Sequence, residues 1–299
     1  MARRQVLFAV CVLVSHAAFA QPVYITLGGG IDGGTLDTYK LGREPNYYSS
    51  MEPVYFFRVE GEFNKYYTFK LLYQADSFFQ NTVNAGLGFK MGLIHVGMGV
   101  QMGIHDLDAG YDPIAVEFWN IGVDGMIKIE FPGILYFGSD FVLDIGGGNW
   151  IANKPGSSHR QVLHFYGGFW LPHILITAGY NDRNYDAIIT DTVSIRAGHR
   201  RIYGKIEFFA KNVPFRISAE AGWLMQTGNY SEEIAPGVVG WHNPVSKNSL
   251  YAGGGFGIDF SKNFRWFVNA DMVLTGLEGG LFDKFSASSG FSIRVPGNK

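Results

Sequence analysis

Residues 119–131, Trp-Asn-Ile-Gly-Val-Asp-Gly-Met-Ile-Lys-Ile-Glu-Phe, alternate without a break. Trp119, Ile121, Val123, Gly125, Ile127, Ile129 and Phe131 fall on one side, and Asn120, Gly122, Asp124, Met126, Lys128 and Glu130 on the other. Successive side chains of an extended chain point to opposite faces, so this period of two separates an apolar face from a charged one on a β-strand. The same period returns elsewhere. Tyr67, Phe69, Leu71, Tyr73 and Ala75 alternate with Thr68, Lys70, Leu72 and Gln74. Phe215, Ile217, Ala219, Ala221, Trp223 and Met225 alternate with Arg216, Ser218, Glu220, Gly222, Leu224 and Gln226. Phe264, Trp266, Val268, Ala270 and Met272 alternate with Arg265, Phe267, Asn269, Asp271 and Val273. These apolar faces hold no Lys, Arg, Asp or Glu, and rings sit near their ends: Tyr67, Tyr73, Trp119, Phe131, Phe215 and Trp223. Such strands exceed the roughly 5–6 residues of globular sheets and match the roughly 9–11 that a tilted strand needs to cross a bilayer.

Outward from these segments, strands read over 23–32, 54–63, 66–76, 81–91, 93–104, 115–131, 134–146, 160–170, 174–181, 190–210, 214–227, 249–260, 264–276 and 285–295, fourteen in all. Joins after even-numbered strands are short and carry turn formers, as in Asn64-Lys65, Met91-Gly92, Pro132-Gly133 and Asn212-Val213. Joins after odd-numbered strands are long and polar, over 33–53, 105–114, 147–159, 182–189, 228–248 and 277–284; only 77–80 is short. Both termini then lie at the short-turn end. One stretch changes phase: Val193, Ile195 and Ala197 are odd, whereas Ile202, Ile206, Phe208 and Ala210 are even. A β-bulge near Gly198–Arg201 accounts for this, and so does an extra turn, which leaves counts of twelve or sixteen open.

Composition narrows the class. Hydrophobic residues are 47% and aromatics 16%, charged residues only 17%, and glycine is 40 of 299 residues. A disordered chain is charged and poor in rings. A disulfide scaffold needs more than one Cys. A net charge of −2 supplies no basic excess for nucleic-acid phosphates. Residues 1–20 read as a cleaved export signal: Arg3 and Arg4, the apolar run Val6–Val14, then Ala18-Phe19-Ala20 before Gln21. Residues 21–299 form the barrel domain, and Cys11 leaves with the leader.

In hydrocarbon no water satisfies a free backbone N–H or C=O, so a membrane sheet must close on itself. The expected fold is all-β, a closed antiparallel transmembrane barrel of about fourteen strands with short periplasmic turns and long extracellular loops. Charged residues gather on the faces opposite the apolar ones. Lumen-lining candidates are Arg58, Glu60, Lys70, Asp124, Lys128, Glu130, Asp140, Asp144, Lys205, Glu207, Arg216, Glu220, Arg265, Asp271 and Arg294.

Here the sequence resembles the bacterial outer-membrane β-barrels, and in size the monomeric fourteen-stranded porins. Its last strand, Ser288-Ser289-Gly290-Phe291-Ser292-Ile293-Arg294-Val295, is similar to their assembly signal: Ser288 is the polar position, Gly290 the glycine, and Ile293 and Val295 the hydrophobic pair. The chain continues to Pro296-Gly297-Asn298-Lys299 instead of ending on an aromatic. The resemblance implies outer-membrane lipid, the barrel-assembly machinery and periplasmic chaperones as partners.

The expected function is porin-like: passive diffusion of small hydrophilic solutes or ions, with 33–53 and 228–248 able to fold inward as a gate. The alternative is a non-conducting structural or adhesin-like barrel, its bore filled by ion pairs and by Phe56, Tyr66, Tyr136 and Phe267. No cofactor or metal is implied. Gly28–Gly30 and Gly146–Gly148 lack the Lys-Ser/Thr of a phosphate loop. His105, Asp106, Asp108 and Asp112 read as a polar loop rather than a Ca²⁺ site. A hydrolase at the loop-side strand ends would draw on His159, His105, Asp191 and Asp106, with nothing beyond position to support it; no enzyme activity is expected.

Overall fold

The computed structural model describes residues 22–33, 51–76, 80–108, 115–149, 156–190, 193–210, 213–235, 238–275 and 285–297. They form fourteen strands: β1 (Val23–Gly33), β2 (Met51–Glu62), β3 (Tyr67–Asp76), β4 (Gln80–Met91), β5 (Ile94–Asp108), β6 (Ala115–Phe131), β7 (Leu135–Asn149), β8 (Ser157–Leu171), β9 (Ile174–Thr190), β10 (Val193–Phe209), β11 (Phe215–Ala235), β12 (Val238–Ser261), β13 (Phe264–Val273) and β14 (Phe285–Val295). Spatial order follows the chain, and β14 pairs antiparallel with β1, from Val23 opposite Val295 to Gly33 opposite Phe285, to close the barrel. Closure leaves no edge strand with unpaired backbone groups. The short turns use residues suited to a sharp reversal. Gly92 and Gly133 sit at φ 61° and 73°, a region that favours glycine. Asn64 Oδ1 accepts the backbone N–H groups of Tyr66 and Tyr67, at 2.8 and 2.9 Å, where β3 begins.

Register keeps one parity outside. Ile25 stands opposite Val59, which stands opposite Leu71, and the row continues through Ala85, Val100, Val123 and Leu143. Met98 is 73% exposed, Leu87 66% and Ile217 54%. Side chains this apolar and this exposed, in a continuous band around a barrel, are matched to hydrocarbon rather than water. Rings border the band at the short-turn end: Tyr67 lies 5.4 Å from Phe89, Phe264 5.4 Å from Phe291, and Phe215 5.8 Å from Phe256. The indole of Trp266 donates to Ser289 Oγ at 2.9 Å, which satisfies a polar tip on the lipid side.

Several expectations need correction at the loop end. Residues 182–189 are not a loop, because β9 continues to Thr190. Residues 228–235 and 238–248 belong to β11 and β12, which extend as a paired ladder with register shifts at Gly228/Tyr230 and Glu233/Ala235; an inward-folding gate is not formed by these residues. The phase change in β10 is neither a bulge at Gly198–Arg201 nor an extra turn. Pairing with β11 is unbroken from Val193 to Phe209, and the shift against β9 falls at Val193/Ser194. The strand stays in phase while its surroundings change. Ile202, Ile206 and Phe208 face outward and are exposed, and so is the parity of Arg200, which pairs with Asp182 of β9 at 3.2 Å. Above Ile202 the outer face is polar, with Arg196 and Asp186 3.7 Å apart, while Ala197 and His199 are buried inside. The apolar band ends at this level. Residues 1–20, most of 33–53 and 277–284, and 109–114 lie outside the described residues.

Candidate functional site: the inner face

The parity opposite the band carries the charges, and most are paired. Arg58 lies 3.7 Å from Glu60, and Lys128 2.6 Å from Glu130. Arg216 reaches Glu207 at 3.4 Å and Asp259 at 3.1 Å, and Arg265 meets the same Asp259 at 2.5 Å. Asp271 receives Arg201 at 3.4 Å, and Glu220 accepts the Tyr251 hydroxyl at 2.8 Å. Asp140 lies 3.5 Å from His164 Nδ1. Lys205 makes no ion pair among the described residues, and Arg294 Nε is buried without a hydrogen-bond partner. Lys90 with Glu62 adds a pair that the candidate set lacked.

Lys70 and Asp124 show how the strands permit such contacts. They lie in one register row, Lys70–Gly86–Gly99–Asp124, across four strands. Two glycines between them leave the wall bare, and their side chains meet at 3.5 Å. A Cβ on Gly99 would collide with Asp124 Oδ1. Inner-face residues from β1 to β9, among them Arg58, Lys70, Asp124, Asp140, His164 and Asn181, line a cavity of about 690 Å³.

A tighter cluster closes on Arg160. Its side chain is 1% exposed and that of Asp144 0%. Asp144 accepts four hydrogen bonds: the Arg160 backbone N–H at 2.8 Å, Arg160 Nε at 3.0 Å and Nη2 at 3.3 Å, and Gln101 Nε2 at 2.8 Å. Arg160 Nη1 donates to Thr82 Oγ1 on β4 at 2.8 Å, and Asn120 Nδ2 donates to Ser158 Oγ at 2.9 Å. The cause is a bulge. Gly122 of β6 faces Asp144 but Ile121 faces Gly146, so β7 gains a residue at Ile145. The β7–β8 ladder stops at Leu143 opposite Gln161. The Arg160 N–H then lacks a ladder acceptor, and the Asp144 carboxylate takes it.

Above that point β8 steps inside β7. A Cβ on Gly147 would stand 2.8 Å from both Ser158 O and Trp119 O, which is why a glycine sits at 147. In a round fourteen-stranded barrel tilted by about 40°, strands four apart face each other across roughly 22 Å. An Arg and a Thr side chain joined by a hydrogen bond span at most roughly 13 Å. The wall is therefore indented at Arg160. Phe118, Tyr185, Leu224 and Gln226, all on the inner parity toward the loop end, are buried. Toward the short-turn end the Arg58 and Asp140 side chains remain 46% and 45% exposed.

The inner rings do not stand across the bore. Tyr136, Tyr166 and Tyr203 pair with Gly168, Gly138 and Gly179, and a Cβ on each glycine would run into the ring opposite. Phe56 and Phe267 cover Gly28 and Gly290 in the same way, with centroids 6.0 Å apart across the β1–β14 seam. Tyr66 is not a bore residue; it lies in the turn before β3 and stacks on Phe89 at 6.3 Å. At that seam Gly290 stands opposite Gly28 and Ser288 opposite Gly30, while Ile293 and Val295 share the outer parity with Ile25 and Val23.

Arg160 escaped the sequence reading because it lay at the edge of the segment 160–170; its shared parity with His164 and Tyr166 was the available signal. His159 is exposed on the outer parity opposite Asp186. The side chains of His105, Asp106, Asp108, Asp112 and Asp191 lie outside those described. Among the described residues no group of His, Asp and Glu is arranged to hold a metal ion.

A closed antiparallel sheet, apolar outside and ionised within, defines a bacterial outer-membrane β-barrel with a channel-like interior. No family model and no curated protein matches the sequence. Among solved structures the chain is similar to an outer membrane channel from Pseudomonas putida F1, with TM-score 0.46 and 7% identity over 93% of this chain and 97% of that one. It is also similar to the translocator domain of the autotransporter NalP from Neisseria meningitidis, with TM-score 0.44 and 13% identity over 98% and 95%. A loop-deletion mutant of OmpT, an outer membrane protein of Vibrio cholerae, gives TM-score 0.42 and 9% identity over 91% and 98%.

Proposed function

We propose that this barrel is a passive channel for small hydrophilic solutes or ions, narrowed where β8 steps inward at Arg160. The observation that carries the reading is the cavity of about 690 Å³ inside a lipid-facing wall, lined by partly exposed ionised side chains. A sealed structural barrel has no need of half-exposed charges in its interior, which cost desolvation unless water reaches them. Arg58, Glu60, Lys70, Asp124, Lys128, Glu130, Asp140, Lys205, Glu207, Arg216, Glu220, Arg265, Asp271 and Arg294 set the field along the path, and Asp144 holds its narrowest part. Because most are paired, the field is weak and charge selectivity slight. No residue makes or breaks a bond.

Residues 1–20 direct export and are removed. Ser288, Gly290, Ile293 and Val295 present the last strand to the assembly machinery, after periplasmic chaperones have carried the chain to it.

The buried loop-side interior favours a second reading, a non-conducting barrel that works through its extracellular hairpins. Planar-bilayer conductance and liposome swelling with solutes of graded size separate the two. The channel reading expects small unitary currents with nearly equal cation and anion permeability. A folded barrel that neither conducts nor swells liposomes overturns it.

A further inference from the structure

On one sector of the cavity wall a carboxylate, an imidazole and a phenol meet. Asp140 (β7) and His164 (β8) are direct cross-strand partners, and Asp140 Oδ2 lies 3.5 Å from His164 Nδ1. Tyr166, two residues along β8, leans over Gly138 of β7 and brings its hydroxyl 3.5 Å from Asp140 Oδ1. All three residues line the cavity, and the Asp140 and His164 side chains are 45% and 25% exposed. The other side of the imidazole is held, with His164 Nε2 3.0 Å from the Tyr203 hydroxyl on β10. Asp140 also differs from most carboxylates of the bore. Glu62, Asp124, Glu130 and Asp259 each meet a Lys or an Arg, whereas among the described residues the ion-pair partner of Asp140 is His164.

We infer that Asp140, His164 and Tyr166 form a binding site for a divalent transition-metal ion, with Cu²⁺ preferred. Contacts of 3.5 Å are long for charge-assisted hydrogen bonds, which run roughly 2.5–2.9 Å. Two donors that share one ion at about 2.1 Å, with a tetrahedral angle between them, stand about 3.4 Å apart. Imidazole nitrogen and carboxylate oxygen are ordinary ligands of such ions. The phenol oxygen completes a set that His, Asp and Glu alone do not form among the described residues. One nitrogen with two oxygens suits Cu²⁺ or Zn²⁺ rather than Ca²⁺ or Mg²⁺, which take oxygen alone, and Cu²⁺ stands highest in the usual order of affinity. His164 binds as the neutral imidazole. Its Nε2–H then donates to Tyr203, and the Nδ1 lone pair faces Asp140, so Tyr203 is a positioning residue. On binding, the Tyr166 phenol proton passes to water. The site needs only that ions reach the cavity, so it is independent of the channel reading.

The test titrates the detergent-folded barrel, carrying Cys11→Ser to remove the thiol, with CuCl₂ and, as control, MgCl₂. Calorimetry reads affinity and stoichiometry, electron paramagnetic resonance reads the nitrogen bound to copper, and absorption reads phenolate-to-copper charge transfer. The parent is expected to hold one more Cu²⁺ than His164→Ala, and Asp140→Asn and Tyr166→Phe each lose that ion. Tyr166→Phe also loses the charge-transfer band. Tyr203→Phe keeps the band but weakens binding about tenfold or more. His173→Ala, at an exposed turn histidine, binds like the parent. Heat-modifiable gel mobility establishes that each variant is folded. Parental Cu²⁺ affinity and stoichiometry in any of the three ligand variants, or Mg²⁺ binding as tight as that of Cu²⁺, overturns the inference.

Discussion

Arg160 illustrates how much one side chain decides. A buried guanidinium is tolerable only because Asp144 is placed to meet it, and each partner alone would be an uncompensated charge. Arg160→Met should therefore destabilise the barrel by about 3–5 kcal/mol, read as a lower temperature for loss of the folded gel band. The double variant Arg160→Met with Asp144→Leu should recover most of that loss. A double variant no more stable than the single one contradicts the pairing. Gly147 makes a complementary prediction. Gly147→Val places its Cβ against two backbone carbonyls at 2.8 Å, so it should loosen the loop-side end of β8, seen as faster amide exchange in residues 157–160. Protection equal to the parent's would show that β8 does not lie against β7. Gly147 stood out in the sequence only as part of a glycine run and Arg160 not at all, because a contact that reaches from β8 to β4 depends on how distant strands are placed and not on local pattern.

Among the elements, β10 and β11 show which parts of the fold are legible and which are not. Period two located every strand because lipid on one side and charge on the other impose opposite demands on neighbouring residues. The pattern misled at Gly198–Arg201, where the apolar parity crosses from the outside to the inside of an unbroken strand. The strand had left the membrane there, and polarity alone does not distinguish a bulge from the end of the hydrocarbon. Loop ends failed similarly: 182–189, 228–235 and 238–248 are polar because they lie beyond the apolar band, not because they leave the sheet. Substitutions along these two strands test that boundary. Ile217→Arg, in the band, should cost about 2–4 kcal/mol in bilayer stability, whereas Ser218→Arg, on the inner parity, should cost less than about 1. Arg200→Leu should change stability little, since it stands at the margin. Equal costs for Ile217→Arg and Ser218→Arg would mean that the faces are assigned wrongly.

For the whole molecule, constriction and conduction are linked through β8. If β8 narrows the bore, Arg160→Ala in the folded barrel should raise unitary conductance and admit larger solutes in swelling assays, and a conductance identical to the parent's would place the narrowest point elsewhere. All of this depends on water reaching the inner parity while lipid covers the outer one. The only cysteine is Cys11, so once it is replaced by Ser single cysteines can be introduced along β11 without background. In proteoliposomes, cysteines at Arg216, Ser218 and Glu220 should react with a water-soluble thiol reagent, and a fluorophore attached to cysteines at Ile217, Ala219 and Ala221 should instead be quenched by a lipid-borne nitroxide. A reactivity profile with no period of two, the six positions responding alike, would contradict a water-lined barrel in a bilayer.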